Sequence, residues 1–305
     1  TPEDILHAVE NKDLREVLGT LPRWENGEAL PPLSQNWAEQ TEALAAFHKR
    51  NGYGLFANYA AFEWRDHALS PISATDPIQL SDLKNYELQR SQVVDNTESF
   101  VCGLPANNVL LYGDRGTGKS STIHAILNAY KEQGLRMIEI PKSAVEELSL
   151  IREYLADSPM KFIIYIDDLS FDSQDNAFTE LKAALEGGLS ACQPNTLIYA
   201  TSNRRHLIKE NFSDREDDVN KNDTRQEQLS LSDRFGLTIT FINPDKKDYL
   251  DIVEKIAADR GLQVDAQRLD AAAEQWAVRR GGRSPRCARQ FIDHVESALR
   301  RGKEW

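Results

Sequence analysis

The segment with the clearest capacity for chemistry is Gly113-Asp114-Arg115-Gly116-Thr117-Gly118-Lys119-Ser120. An apolar run at 109–112 precedes it and predicts a buried strand, and apolar side chains at helical spacing follow it. Glycines let the backbone turn successive N–H groups toward one point, and a helix that begins there adds partial positive charge. The pattern predicts a polyphosphate-binding loop that extends to Ser121, with Lys119 on the β and γ phosphates and Ser120 on Mg²⁺.

Two carboxylates form the next candidate group. Asp167 and Asp168 directly follow the apolar run 162–166, and doubly wound α/β folds build their sites at the carboxyl ends of strands. We expect Asp167 to hold Mg²⁺, directly or through water, and Asp168 to orient or deprotonate an attacking water. Asn203 follows another apolar run, 196–200, and its amide is expected to hold a water against the γ phosphate.

Three arginines are candidates for contact with phosphate. Arg234 stands just before the apolar run 237–242, near a subunit edge from which it can enter a neighbouring site. An arginine in that role contributes ~10³–10⁵ in rate in other systems. Ser284 and Pro285 mark a helix start, from which Arg286 is expected to reach the nucleotide, with Arg283 as the alternative.

The elements that must position these residues follow from periodicity. Five apolar runs alternate with helical patterns, which predicts a doubly wound, parallel, five-stranded α/β sheet. Only helical patterns remain after 243, so residues 244–305 are expected to form a helical lid and 76–243 the α/β core. Residues 1–75 are expected to form an N-terminal helical region. Its aromatic side chains, which include Phe62 and Trp64, are expected to close a small helical domain or to pack onto the core, and a partner-binding surface is the alternative.

Composition narrows the class of protein. The chain has 305 residues, 40% hydrophobic and 28% charged, as in ordinary globular proteins. Neither a membrane span nor a signal peptide is expected, and the chain is predicted to be cytoplasmic. A net charge of −12 does not support a surface that grips nucleic acid, although a local basic patch stays possible. Cys102, Cys192 and Cys287 lack metal-ligand spacing and are expected to be packing residues.

The ordered elements resemble the AAA+ ATPases. The resemblance implies a P-loop NTPase with the phosphate loop at 113–120, an acidic pair at 167–168, Asn203 as sensor 1, Arg234 as arginine finger and Arg286 as sensor 2. It also implies ATP and Mg²⁺ as cofactors, a homo-oligomer that forms a ring or an open assembly, and a protein partner whose identity is unknown.

Longer phrases resemble a bacterial AAA+ family of unassigned function, which is similar to helicase loaders and replication initiators. This resemblance covers roughly residues 50–300. The phrases are Asn96-Thr97-Glu98-Ser99-Phe100, Ala106-Asn107-Asn108-Val109-Leu110-Leu111, Asp167-Asp168-Leu169-Ser170-Phe171 and Tyr199-Ala200-Thr201-Ser202-Asn203-Arg204-Arg205-His206-Leu207.

One departure from the family pattern separates the functional hypotheses. Many AAA+ motors have Glu where this chain has Asp168, and the shorter side chain retracts the carboxylate, which implies slow turnover. The first hypothesis is an ATPase that acts at a subunit interface. The second is a nucleotide-gated binding module in which the ATP state, rather than turnover, controls a partner. A small-molecule phosphotransferase is a third, for which the lid offers no obvious general base.

Overall fold

The computed structural model describes residues 40–170, 176–186, 194–203 and 233–305. The chain divides into two units, Thr1–Ala46 and Phe47–Trp305. Of the first unit, only residues 40–46 are described, and they contain the start of a helix. The fold below is that of the second unit, whose first residue, Phe47, lies within that helix.

The helices and strands alternate through most of this unit. The helices are α1 (Thr41–Asn51), α2 (Leu55–Asn58), α3 (Glu87–Val101), α4 (Lys119–Tyr130), α5 (Leu148–Leu155), α6 (Asn176–Glu186), α7 (Lys246–Asp259), α8 (Ala266–Arg279) and α9 (Pro285–Arg300). The strands are β1 (Ala61–Arg65), β2 (Ala68–Ile72), β3 (Val109–Gly113), β4 (Leu135–Glu139), β5 (Lys161–Ile166), β6 (Thr196–Ser202) and β7 (Leu237–Phe241). Short 3₁₀ turns at Leu80–Asp82, Lys131–Gln133 and Lys142–Glu147 complete the described elements.

One sheet organises the described residues, with strand order β2-β1-β4-β5-β6-β3-β7. The five predicted strands are β3 to β7, and every pairing among them is parallel. Helices cover both faces, because alternate residues of β5 enter different hydrophobic clusters: Ile164 and Ile166 pack on one face, Ile163 and Tyr165 on the other. The doubly wound α/β fold class is confirmed.

The strand number differs from the prediction, because residues 61–72 form a hairpin and not a helix. β1 pairs antiparallel with β2 and parallel with β4, which extends the sheet to seven strands within the described residues. Phe62 and Trp64 are buried in the core, whereas Glu63 is half-buried and Arg65 is exposed, so the side chains alternate as in a strand. The domain boundaries at 75/76 and 243/244 stay predictions.

The C-terminal segment consists of helices, as predicted. Side chains of Asp245, Asp265 and Ser284 cap the starts of α7, α8 and α9 by accepting a backbone N–H three residues later. Apolar faces of these helices form a separate hydrophobic cluster that includes Tyr249 and Phe291. Among the described helices, none has both the length and the apolar character that crossing a bilayer requires.

We predict that Gly113→Ala destabilises the fold, because Gly113 ends β3 with φ of 132° and an added Cβ would lie 1.9 Å from the Phe241 carbonyl oxygen. The expected loss in free energy of unfolding exceeds about 2 kcal/mol, from backbone strain together with overpacking. Urea denaturation measures it.

Gly261→Ala is the matched control. Gly261 also has positive φ, 65°, yet nothing lies within 4 Å of an added Cβ. It should cost about 1 kcal/mol from the left-handed backbone alone. Equal losses for the two variants would contradict the close approach of β3 and β7 at Gly113.

Candidate nucleotide-binding site

The predicted phosphate loop connects β3 to α4. Asp114 donates its backbone N–H to the Phe241 carbonyl at 2.8 Å, which ties the start of the loop to β7. The Thr117 hydroxyl donates to the Asp114 carbonyl at 2.8 Å and closes the turn. Gly118, with φ of 97°, precedes the first residue of α4. The N-terminus of α4 therefore lies at the loop, as the sequence predicts.

The side chain of Lys119 lies inside this loop and is only 6% exposed. Its ammonium donates to the carbonyls of Gly113 and Asp114 at 3.0 and 2.7 Å. It also donates to Oδ1 of Asn203 at 3.1 Å. Burial lowers the pKa of Lys119, and the nearby carboxylates, Asp114 first, oppose that shift. The fold thus directs one buried positive charge to the point where the loop would bind phosphate.

The carboxylate of Asp167 lies across from the first turn of α4. Its Oδ1 accepts hydrogen bonds from the hydroxyls of Ser120 at 2.8 Å, Tyr165 at 2.6 Å and Thr201 at 2.5 Å. Burial raises the pKa of Asp167, but the hydroxyl hydrogen bonds, Thr201 first, outweigh it and hold the pKa below its usual value. Asp167 is therefore an anion beside the predicted phosphate position.

Ser120 and Asp167 fit the requirements of Mg²⁺, which prefers hydroxyl and carboxylate oxygen ligands. The two side chains are in direct contact at 2.8 Å. The described part of the chain contains no group of three or more His, Cys, Asp or Glu that could hold a metal ion. Two oxygen-bearing side chains suit Mg²⁺ that arrives with a nucleotide, because this ion is usually bound by few protein groups together with substrate phosphates.

Asp168 adopts an unusual backbone conformation at the turn after β5, with φ of 49°. Its backbone N–H donates to the Thr201 hydroxyl at 3.0 Å, which anchors the turn to β6. Its Oδ1 accepts from Nδ2 of Asn203 at 2.6 Å. Strained backbone at a non-glycine residue is typical of functional sites. Because the amide of Asn203 also accepts a hydrogen bond from Lys119, it connects two of the predicted catalytic groups, Lys119 and Asp168.

The lid meets the phosphate loop at the start of α9. Arg286 donates its backbone N–H to the Gly116 carbonyl at 3.1 Å. The Arg283 guanidinium instead makes two hydrogen bonds to the Glu274 carboxylate, each 2.9 Å. Arg283 is thus engaged within the lid, whereas Arg286 lies at the loop. This placement supports Arg286 as the nucleotide contact, a role that stays a prediction.

A cleft beside Gly118 was not predicted from the sequence. Its walls come from the segment before α3, from α7 and from α9, and include Tyr86, Ile252 and Arg289. The Tyr86 ring packs against Phe241, with ring centroids 5.2 Å apart. These residues lie far apart in the sequence and show no shared pattern, so only the fold brings them to one place.

Two predicted loop residues, Arg115 and Ser121, lie at the exposed tip of the loop and in the first turn of α4, respectively. Arg234 does not lie at the phosphate loop. It precedes the first residue of β7, whereas the loop contacts the last residue of that strand. Leu237, the first residue of β7, pairs with Val109 at the start of β3. The four residue steps of β7 span about 13 Å. Arg234 therefore does not reach the phosphate loop of its own chain along this strand.

Comparison with solved structures defines the class of the fold. A RuvB variant from Thermotoga maritima matches with a TM-score of 0.50 and 18% identity, over 73% of this chain and 65% of that chain. This chain thus spans less than two thirds of that RuvB chain. AMPPCP-bound DnaA from Aquifex aeolicus matches with a TM-score of 0.49 and 16% identity, over 73% of this chain and 66% of that chain. No match was found among curated protein sequences.

The strand order, the phosphate loop and the structural likeness define an AAA+ P-loop NTPase fold. A family model narrows this class further, since it matches residues 57–299. The chain belongs to that family, which is described as "Protein of unknown function (DUF815)".

We predict that Arg286→Ala weakens ATP binding by about 10- to 150-fold, as expected for loss of one charge-assisted hydrogen bond worth ~1.5–3 kcal/mol. Arg283→Ala should leave ATP affinity within about twofold of wild type and lower the stability of the lid, because it leaves Glu274 without its bidentate partner. Equilibrium titration with a fluorescent ATP analogue measures both affinities. The reverse order of effects would assign the nucleotide contact to Arg283.

Proposed function

We propose that this protein binds ATP with Mg²⁺ and hydrolyses ATP slowly at the interface between neighbouring subunits of a homo-oligomer. The cycle drives or gates the remodelling of a protein partner. The observation that carries this proposal is the bridge through Asn203, whose amide accepts from Lys119 at 3.1 Å and donates to Asp168 at 2.6 Å. One side chain thus connects the phosphate-binding cation with the carboxylate expected to act on water.

Each side chain has a defined task in the proposed reaction. The Lys119 ammonium and the loop N–H groups bind the β and γ phosphates. Ser120 and Asp167 hold Mg²⁺, which offsets phosphate charge when it is bound. Asp168 orients the attacking water or accepts its proton, while Asn203 positions that water against the γ phosphate.

The position of Arg234 supports hydrolysis between subunits. Among the described strands, β7 lies at the edge of the sheet, and Arg234 precedes it at the end opposite the phosphate loop. The neighbouring Phe235 is fully buried and fixes this turn to the core. Because Arg234 does not reach its own loop, we assign its guanidinium to the phosphates held by an adjacent subunit. A ring or an open assembly provides this contact, because head-to-tail interfaces place each subunit's edge against the next site.

The second candidate is a nucleotide-gated binding module, favoured by Asp168. Its carboxylate is one methylene shorter than glutamate, and it is already hydrogen-bonded to Asn203 at 2.6 Å. A short, engaged carboxylate suits occasional hydrolysis that resets a bound state. In this mode ATP fixes the lid, through Arg286, in a conformation that a partner recognises. Multiple-turnover ATPase rates with and without partner distinguish the candidates, since only a motor sustains turnover in step with partner remodelling.

The chemistry of the partner is constrained by charge. A net charge of −12 is unfavourable for a surface that neutralises a nucleic-acid backbone. A protein partner is therefore the proposal, and nucleic acid is the less supported alternative.

We predict that Arg234→Ala and Asp168→Ala each abolish hydrolysis but retain ATP binding, and that mixing the two variants restores activity. In a randomly assembled 1:1 mixture, about a quarter of interfaces combine an intact Asp168 with a neighbour's intact Arg234. The mixture should therefore recover about a quarter of the wild-type rate in a steady-state phosphate-release assay.

Each variant mixed with itself serves as the control, and far-UV circular dichroism confirms that both are folded. A mixture as inactive as its components would show that Arg234 does not act across an interface.

A further inference from the structure

Three hydroxyl groups converge on a single oxygen of Asp167. Ser120, Tyr165 and Thr201 each donate to Oδ1, at 2.8, 2.6 and 2.5 Å. The contact from Ser120 was expected, because both side chains were predicted to bind Mg²⁺. The contacts from Tyr165 and Thr201 were not expected, because neither residue was among the predicted site residues.

The direction of the Thr201 hydrogen bond is fixed by its surroundings. The hydroxyl oxygen of Thr201 accepts the backbone N–H of Asp168 at 3.0 Å. A hydroxyl has one proton to donate, so this proton is available to Asp167. The side chain is 2% exposed, which shields both hydrogen bonds from water. Thr201 therefore links the carboxylate of Asp167 to the backbone of the next residue.

Tyr165 reaches the same oxygen from within β5. It lies two residues before Asp167, so both side chains leave the chain on the same face. The ring is 1% exposed and packs edge-on against His124, with centroids 5.8 Å apart. A buried phenol hydroxyl requires a hydrogen-bond partner, and here that partner is Asp167 at 2.6 Å.

The neighbouring strand provides an internal comparison. Tyr199 pairs directly with Tyr165 in the sheet and is also fully buried. Its hydroxyl contacts Asn96 at 3.0 Å and Thr97 at 2.8 Å, both in α3 and away from the acidic pair. Two tyrosines at paired positions thus differ in the direction of their hydroxyls, and only that of Tyr165 is directed to the candidate metal ligand.

We propose that Tyr165 and Thr201 are positioning residues that fix the Asp167 carboxylate for the Mg²⁺ of a bound nucleotide. This inference rests on the proposed function. The two hydroxyls fix Oδ1 from different strands, β5 and β6, and leave Oδ2 outside the three-hydroxyl contact. The fold already orders the Asp167 carboxylate, which therefore does not have to be reoriented when the metal binds. Removing such a partner of a metal ligand typically weakens metal affinity by about 10–100-fold.

The test compares variants of the 305-residue chain in their Mg²⁺ requirement. Tyr165→Phe removes one hydroxyl without changing the ring, and Thr201→Val removes the other at constant shape. Binding of a fluorescent ADP analogue is titrated at a series of Mg²⁺ concentrations, and Mn²⁺ bound in the presence of ADP is measured by electron paramagnetic resonance. Each variant should need about tenfold more Mg²⁺ for half-saturation, whereas ADP affinity without metal should equal that of wild type.

Two conservative variants are controls. Tyr199→Phe deletes a buried hydroxyl at the paired position, and Thr201→Ser keeps the hydroxyl that contacts Asp167. Both should show the wild-type Mg²⁺ requirement. If Thr201→Val does not fold, Tyr165→Phe against Tyr199→Phe still carries the test.

The outcomes separate this inference from the proposed function. A wild-type Mg²⁺ requirement in Tyr165→Phe, or an equal shift in Tyr199→Phe, would overturn the positioning role and leave the proposed function standing. Nucleotide binding by the wild-type protein that does not respond to Mg²⁺ or Mn²⁺ would overturn both.

Discussion

The ammonium group of Lys119 imposes the constraint on which the site depends. An ammonium group that is buried away from water has to donate its hydrogen bonds to oxygen atoms of the protein. Lys119 donates to the carbonyls of Gly113 and Asp114 and to the amide oxygen of Asn203. These atoms come from the last residue of β3, the first residue of the loop that follows it, and the residue after β6. Because β3 and β6 are neighbouring parallel strands, satisfying one buried charge brings two strand ends into a common site, and β5 adds Asp167 beside them.

The two carboxylates after β5, Asp167 and Asp168, differ in their hydrogen-bond partners. Asp167 accepts three hydroxyls on one oxygen, an arrangement that stabilises its anion and limits its rotation. Asp168 has a left-handed backbone and a contact to Asn203, so its carboxylate is linked to the same amide that contacts Lys119. In the proposed mechanism, phosphate bound at Lys119 would compete with the Asn203 amide oxygen for the ammonium, and Asn203 would link that change to Asp168.

The sequence was most informative where the signal was local. The phosphate loop and the acidic pair each follow a continuous apolar run, and β3 to β7 were predicted from such runs because strands buried on both faces are apolar throughout. The β1–β2 hairpin was missed, since only one alternation, Phe62 and Trp64, marks a strand, and Phe62 also continues the helical spacing of Leu55 and Tyr59. The turn residues Asp66 and His67, both with positive φ, carry no glycine that would have marked a hairpin.

The contacts of the candidate site could not be predicted from local sequence patterns, because many of them join residues that are far apart in the chain. In the sequence, Tyr165 is one of several large residues of a buried strand. Its hydroxyl contact to Asp167 becomes evident only in the fold, where the neighbouring strand brings Thr201 to the same carboxylate. The choice between Arg283 and Arg286 likewise depends on Glu274, a residue of another helix that engages one of the two. The role of Arg234 depends on a second subunit and stays a prediction.

Isothermal titration calorimetry tests whether the buried ammonium in this strand-to-helix loop captures the tail of a nucleoside triphosphate. Wild-type protein and Lys119→Ala are titrated with ATP, ADP and AMP in the presence of Mg²⁺. We predict that wild-type protein binds ATP and ADP but not AMP, and that Lys119→Ala remains folded and binds none of them. Wild-type affinity for ATP in Lys119→Ala would contradict this prediction.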